Sequence, residues 1–290
     1  MIKNKSLFIV SIAYFLAIFS GILFIILFPQ LKSKYPILTI LYADIIATVV
    51  IYLFSYYYSN SSIYDPYWSV IPPIILLYWI LLENVININV LILMFSVIFW
   101  SLRLTFNWIR GWKGLDFEDW RYIDMRVKSG KYFEISNFLG IHLFPTLIVF
   151  GCCISFKYAI NKTMDNIFFI IGFLVCFIGV MYEIIADQQL YNFKNKNKNN
   201  TIIREGLWKH SRHPNYYGEI LFWFGLFAYG FNYKNVLLIF PPISMLLMFV
   251  YVSIPWIEHK ILRTRPDYKK YQKDVSMLFP EMSYIRQLFK

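Results

Sequence analysis

Apolar stretches about twenty residues long recur along this chain, and the polar breaks between them are short. The first runs from Leu7 to Phe28, behind Lys3 and Lys5. It is too long for the roughly 7–15-residue apolar core of a secretory leader, and it lacks a small-residue cleavage site. It reads as a transmembrane helix. Further spans are expected from about Pro36 to Tyr58, Asp65 to Leu82, Val90 to Ile109, Phe138 to Ile160, Ile167 to Ala186, Gly218 to Phe231 and Val236 to Ser253. About twenty helical residues cross the ~30 Å of hydrocarbon in a bilayer. In lipid the backbone must satisfy its own polar groups, which leaves helices as the natural solution for runs of this length. Composition agrees: 58% of the 290 residues are hydrophobic and 16% charged, where soluble domains have about a quarter charged. The expected fold is all-α, a polytopic transmembrane helix bundle of about 7–8 spans. The seventh span is short. Residues 1–62 would form N-terminal transmembrane helices, and residues 63–290 a second domain.

The net charge of +11 is carried between the apolar runs. Residues 111–137, residues 187–217 and the tail hold most of the Lys and Arg, while the turns at 161–166 and 232–235 are nearly uncharged. By the positive-inside rule the basic segments and both termini face the cytosol, with Lys32 and Lys34 on the opposite side. The membrane would be the endoplasmic reticulum in a eukaryote or the inner membrane in a bacterium. A charge distributed in this way excludes nucleic acid as a partner and suits anionic lipid or a phosphorylated cofactor. Cys152, Cys153 and Cys176 all lie in apolar runs, and the four histidines form no HExxH pair. Neither a disulfide framework nor a metal site is expected.

Chemistry concentrates in Gly206–Gly225, GLWKHSRHPNYYGEILFWFG. Lys209, His210, Arg212 and His213 precede Pro214, which suits the first turn of a helix. Asn215 and Glu219 then share one helix face, and Gly218 permits close packing against it. An acid carried into the bilayer is costly and by default marks a functional site. Arg103 sits inside the fourth span with Trp100, Thr105 and Asn107 nearby; it either reaches an anion or snorkels. Glu183 and Asp187 share the last turn of the sixth span. The loop Gly111–Arg126 alternates charges with tryptophans, as a binding loop or an interfacial belt would. The tail Glu258–Pro280 offers Tyr268 and Tyr271. No Gly-x-Gly-x-x-Gly unit is present, so a dinucleotide would have to sit among helices, with Arg and Lys at its phosphates.

The run Arg212-His213-Pro214-Asn215-Tyr216, followed by Glu219, resembles the C-terminal signature of the steroid 5-alpha-reductase family. It most resembles that family's little-characterised membrane-protein branch, to which Asp119-Trp120-Arg121-Tyr122 is also similar. Sterol C14 reductases and the lamin B receptor carry a similar run. The resemblance extends from Asp65 to Pro280. It implies an NADPH-dependent reductase of a carbon–carbon double bond in a sterol-like, polyprenyl or other enone lipid, with a cytosol-facing cofactor cavity. Arg103, Arg110, Arg121, Lys194, Arg204 and Arg212 would serve the phosphates, with His213 and Tyr216 beside them. Glu183, where the family has an asparagine, and Asp187 would contact the cofactor, as would Tyr268 and Tyr271. Asn215 would orient the carboxamide, and Glu219 the nicotinamide or substrate. Asp65 matches the family's acid at the substrate ketone. Trp100 stands where the family has a tyrosine, and an indole donates a hydrogen bond but no proton. The tail and Arg212-His213-Pro214 are also similar to isoprenylcysteine and phospholipid methyltransferases. A methyltransferase using S-adenosylmethionine, or a non-catalytic lipid-binding relative, is the alternative.

Overall fold

The structure is a computed structural model that describes residues 3–162, 166–196 and 201–280. Among these residues every regular element is helical. Among the described residues, seven helical stretches are long and apolar enough to cross a membrane: Lys3–Leu27, Pro36–Tyr57, Ser61–Glu83, Ile88–Gly111, Trp120–Ala159, Ile167–Lys196 and Val236–Thr264. The expected seventh span forms Pro214–Gly230, which has 17 residues. At 1.5 Å per residue it rises only about 25 Å. The chain divides into two compact units, Met1–Asn161 and Lys162–Lys290.

The first unit contains α1 (Lys3–Leu27), α2 (Pro29–Lys34), α3 (Pro36–Tyr57), α4 (Tyr67–Glu83), α5 (Ile88–Gly111), α6 (Trp120–Ser129), α7 (Phe133–Ser136), α8 (Phe144–Cys153) and α9 (Ser155–Ala159). Helices α1 and α3 meet through small residues. Ala13, Ala17, Ala43 and Ala47 are buried, and a Cβ on Gly21 would lie 3.1 Å from the Ala43 carbonyl. Small residues at a seam are how helices approach in lipid, where no hydrophobic effect draws them together. The outer faces carry large apolar side chains such as Phe8 and Phe15, 66% and 68% exposed. Asn87 caps α5 by accepting from the Val90 amide at 3.0 Å, and Asp119 caps α6 through the Arg121 amide at 2.9 Å. The segment 111–137, expected as a loop, therefore contains a helix. Between α7 and α8, Asn137–Leu143 widens into a π-helical turn. Pro145 follows it, and a widened turn absorbs the hydrogen bond that proline cannot make.

The second unit contains α10 (Ile167–Lys196), α11 (Pro214–Gly230), α12 (Phe240–Met248), α13 (Ile254–Thr264) and α14 (Tyr268–Asp274). A second π-helical turn, Phe249–Ser253, joins α12 to α13 just before Pro255. Helix α10 runs ten residues beyond Ala186, where the sixth span was expected to end. The residues there, such as Gln188, Gln189 and Leu190, are polar or amphipathic yet good helix formers, so leaving the apolar run does not end the helix. The low-complexity segment Asn192–Asn200 is partly helical, and its residues 197–200 lie outside the described set.

Candidate functional site

The antiparallel pair α10–α11 is knit by glycine. A Cβ on Gly172 would lie 2.7 Å from the Tyr229 amide nitrogen, and one on Gly225 would lie 2.5 Å from Cys176 Sγ. One helical heptad along, a Cβ on Gly179 would meet the Gly218 carbonyl at 2.6 Å, and one on Gly218 would meet Glu183 Cγ at 2.6 Å. Only glycine allows backbones this close. The close approach that Gly218 was expected to permit is to Gly179 and Glu183.

This seam delivers polar groups to one end. Glu183 is 1% exposed and Glu219 4%. Glu219 accepts from Trp223 Nε1 at 2.9 Å, one turn along its own helix. Asn215 donates from Nδ2 to Asp187 Oδ1 at 3.2 Å, tying α11 to α10. Lys194 lies within electrostatic range of Asp187 and Arg265. Glu183, Asp187, Asn215 and Glu219 were all expected at the site, and the structure gathers them on one helix pair. Arg265, whose Nε is buried without a hydrogen-bond partner, was not anticipated.

A second cluster is built on Glu258 of α13. Arg212 donates Nε to Glu258 Oε1 at 2.7 Å and Nη2 to Oε2 at 3.3 Å. His213 Nε2 lies 3.0 Å from Oε1, Tyr268 donates to Oε1 at 3.0 Å, and Gln272 donates to Oε2 at 2.7 Å. Arg212 Nη1 further bonds the carbonyls of Gln272 and Val275, and its backbone amide bonds that of Ser276. A guanidinium has five donors, and the tail occupies most of them. Arg212, expected at the phosphates, is engaged here in a clamp on the tail. Burial pushes the His213 pKa down, against the pull of Glu258.

Tyr268 and Tyr271 were expected to face a cofactor. Their hydroxyls instead serve Glu258 and the Trp208 carbonyl. Burial raises both phenols, Tyr271 to about 12. Tyr216 stacks on His213 at 5.6 Å and packs on Phe249 at 4.6 Å. Arg204 lies over the Tyr271 ring at 5.2 Å and 3.5 Å from Asp274. Glu258 itself escaped the sequence reading. Its partners His213 and Arg212 lie 45 and 46 residues upstream, and it is one of three acids in the basic tail Glu258–Pro280.

In the first unit Asp65 sits on the α3–α4 connection. Tyr122 donates to its Oδ1, and Arg121 Nη2 lies 4.0 Å away. Arg121 also bonds Asp119 at 2.8 Å. The same connection is pinned by the Ser61 amide to Glu118 at 2.8 Å and by Asn60 to the Leu115 carbonyl at 2.7 Å. The Gly111–Arg126 segment thus holds Asp65 in place. Trp100 is fully buried. Arg103 is half-buried within α5, and Arg110 bonds Asn107 at 2.9 Å. Among the described residues no group of three or more His, Cys, Asp or Glu is placed to hold a metal ion.

Fold and clusters together define a polytopic, all-helical membrane protein with buried acids on its helix seams. The chain belongs to the family described as "Protein of unknown function (DUF1295)", which matches residues 51–275. It is also similar to an uncharacterized protein of Schizosaccharomyces pombe, at 24% identity over 77% of this chain and 73% of the other. No solved structure matches it significantly.

Proposed function

We propose that the protein is an integral-membrane, NADPH-dependent reductase of a carbon–carbon double bond in a lipid. The observation that carries this reading is the gathering of Asp187, Asn215, Glu183 and Glu219 at one end of the α10–α11 seam. The donor set fits a dinucleotide in part. Asp187 supplies acceptors for ribose hydroxyls, Asn215 an amide for a carboxamide, and Lys194 with Arg265 a cationic pair for phosphate. Arg212 does not fit, because the tail already takes its donors. When bound, NADPH supplies the hydride. Glu219, oriented by Trp223, holds the reacting end, and the apolar helix faces exclude water from it. In the first unit, Asp65 with Tyr122 is the acid–phenol pair suited to polarising a carbonyl.

A methyltransferase using S-adenosylmethionine is the second reading, favoured by the Arg212–His213–Glu258–Tyr268 cluster, the part of the chain most similar to isoprenylcysteine methyltransferases. Equilibrium binding to the purified full-length protein at fixed salt separates the two. The reductase reading expects NADPH to bind more tightly than NADH, because the 2′-phosphate adds charge for the basic residues to meet. Binding of S-adenosylmethionine alone favours the methyltransferase. If neither binds, a non-catalytic lipid-binding relative is the better description.

A further inference from the structure

Asp44 is an acid in the middle of the span Pro36–Tyr57, and it is 2% exposed. Its Oδ1 accepts from the Tyr67 hydroxyl at 2.7 Å. Its Oδ2 is buried with no hydrogen-bond partner. A carboxylate in that position would leave a charged oxygen uncompensated in apolar surroundings, whereas a carboxylic acid carries no charge. The titratable groups that face it are Tyr67 from α4, Tyr64 from the α3–α4 connection and Cys153 from α8. None of these is a cation.

A file of hydroxyls leads away from this acid. The hydroxyls of Tyr67 and of Thr48, one turn beyond Asp44 on α3, both donate to the Asp44 carbonyl, at 3.2 and 2.8 Å. Thr48 Oγ1 lies 3.1 Å from Thr146 Oγ1 of α8, and Thr146 lies 2.9 Å from the Tyr64 hydroxyl. Tyr64 precedes Asp65, the half-buried acid that meets Tyr122. Each hydroxyl both donates and accepts, so the file can pass a proton by reorienting its bonds. We propose that Asp44 is an intramembrane proton-binding site, and that its proton exchanges along Tyr67, Thr48, Thr146 and Tyr64. An ionisable residue inside a membrane marks function by default, with its partner named; here the ligand is the proton and the partner Tyr67. The site stands without the cofactor. Only the use of its proton, one per hydride delivered to a double bond, rests on the reductase reading.

The test is infrared spectroscopy of the full-length protein in liposomes, followed through exchange from water into deuterium oxide. The expected result is a carbonyl band of a protonated carboxylic acid that Asp44→Asn removes. The pair Thr48→Val and Thr146→Val should keep the band and slow its deuterium shift by roughly tenfold or more, the factor set by one net hydrogen bond. Tyr67→Phe should move the band in frequency without removing it, which guards against a misfolded Asp44→Asn protein. The proposal is overturned if no such band depends on Asp44 and Tyr67, if sodium converts it to a carboxylate signal, or if the double valine variant exchanges like the parent. Nucleotide binding is no part of the readout, so failure here and failure of the reductase reading are separate results.

Discussion

At the scale of single residues, the two ends of the Arg212–Glu219 stretch do different things. Arg212 and Glu258 form a bidentate pair that also gathers His213, Tyr268 and Gln272. Removing one partner leaves the other charge nearly buried, which costs about 3–5 kcal/mol. Arg212→Gln should therefore lower the thermal stability of the purified protein sharply and free the tail to proteolysis, and any loss of NADPH affinity should follow the folded fraction. Glu219→Gln should behave in the opposite way. The amide oxygen still accepts from Trp223, so stability is kept, while loss of a bond to a charged group weakens NADPH binding or hydride transfer by about 10- to 100-fold. A variant that binds NADPH and turns over a lipid enone like the parent removes Glu219 from the site. Asn215, Asp187 and Glu219 were legible in the sequence because helical spacing and the cost of an intramembrane acid both single them out. The role of Arg212 was not, because its partner depends on how the tail folds back, and a guanidinium looks the same whether it awaits a phosphate or grips a glutamate. Asp44 passed unnoticed inside an otherwise apolar run, since only its neighbours reveal that it is enclosed.

At the scale of elements, span positions were readable because lipid demands long apolar helices and little else. What periodicity could not show was where those helices end or widen. Helix α10 continues to Lys196 because helix propensity outlasts hydrophobicity. The two π-helical turns answer prolines that a run of apolar letters conceals. The glycine seam is the element most open to test. Gly179→Ala places a methyl 2.6 Å from the Gly218 carbonyl and 2.9 Å from the Phe222 amide nitrogen. Overpacking of this kind costs about 1–3 kcal/mol. The variant should melt earlier and should lose nucleotide affinity in step, because spreading the pair parts Asn215 from Asp187. Gly140→Ala is the control: a Cβ there meets nothing within 4 Å, so its melting temperature should match the parent's.

At the scale of the molecule, the tail clamp decides a question that counting apolar runs leaves open. Arg212 begins just before α11, and its backbone and side chain bond residues 272, 275 and 276. The intervening chain leaves one polar cluster and returns to it, so it crosses the membrane an even number of times. Val236–Thr264 is long and apolar enough for one crossing, and the prediction is that Pro214–Gly230, despite its 17 residues, makes the other. Cysteines introduced at Lys194 and Lys269 should then label from one side of sealed vesicles, and one at Lys234 from the opposite side. Labelling of all three from the same side would show that α11 does not cross. The division into two units at residue 161 has no linker to mark it, since it falls in the short turn between two apolar runs. The glycine seam also bears on how the protein is made. A helix this short, carrying Glu219 into the lipid, is a poor passenger for an insertion machinery that weighs segments one at a time. Helix α10, synthesised just before it, offers a ready groove in which α11 can lodge while still on the ribosome, so the pair would be delivered to the bilayer as one piece.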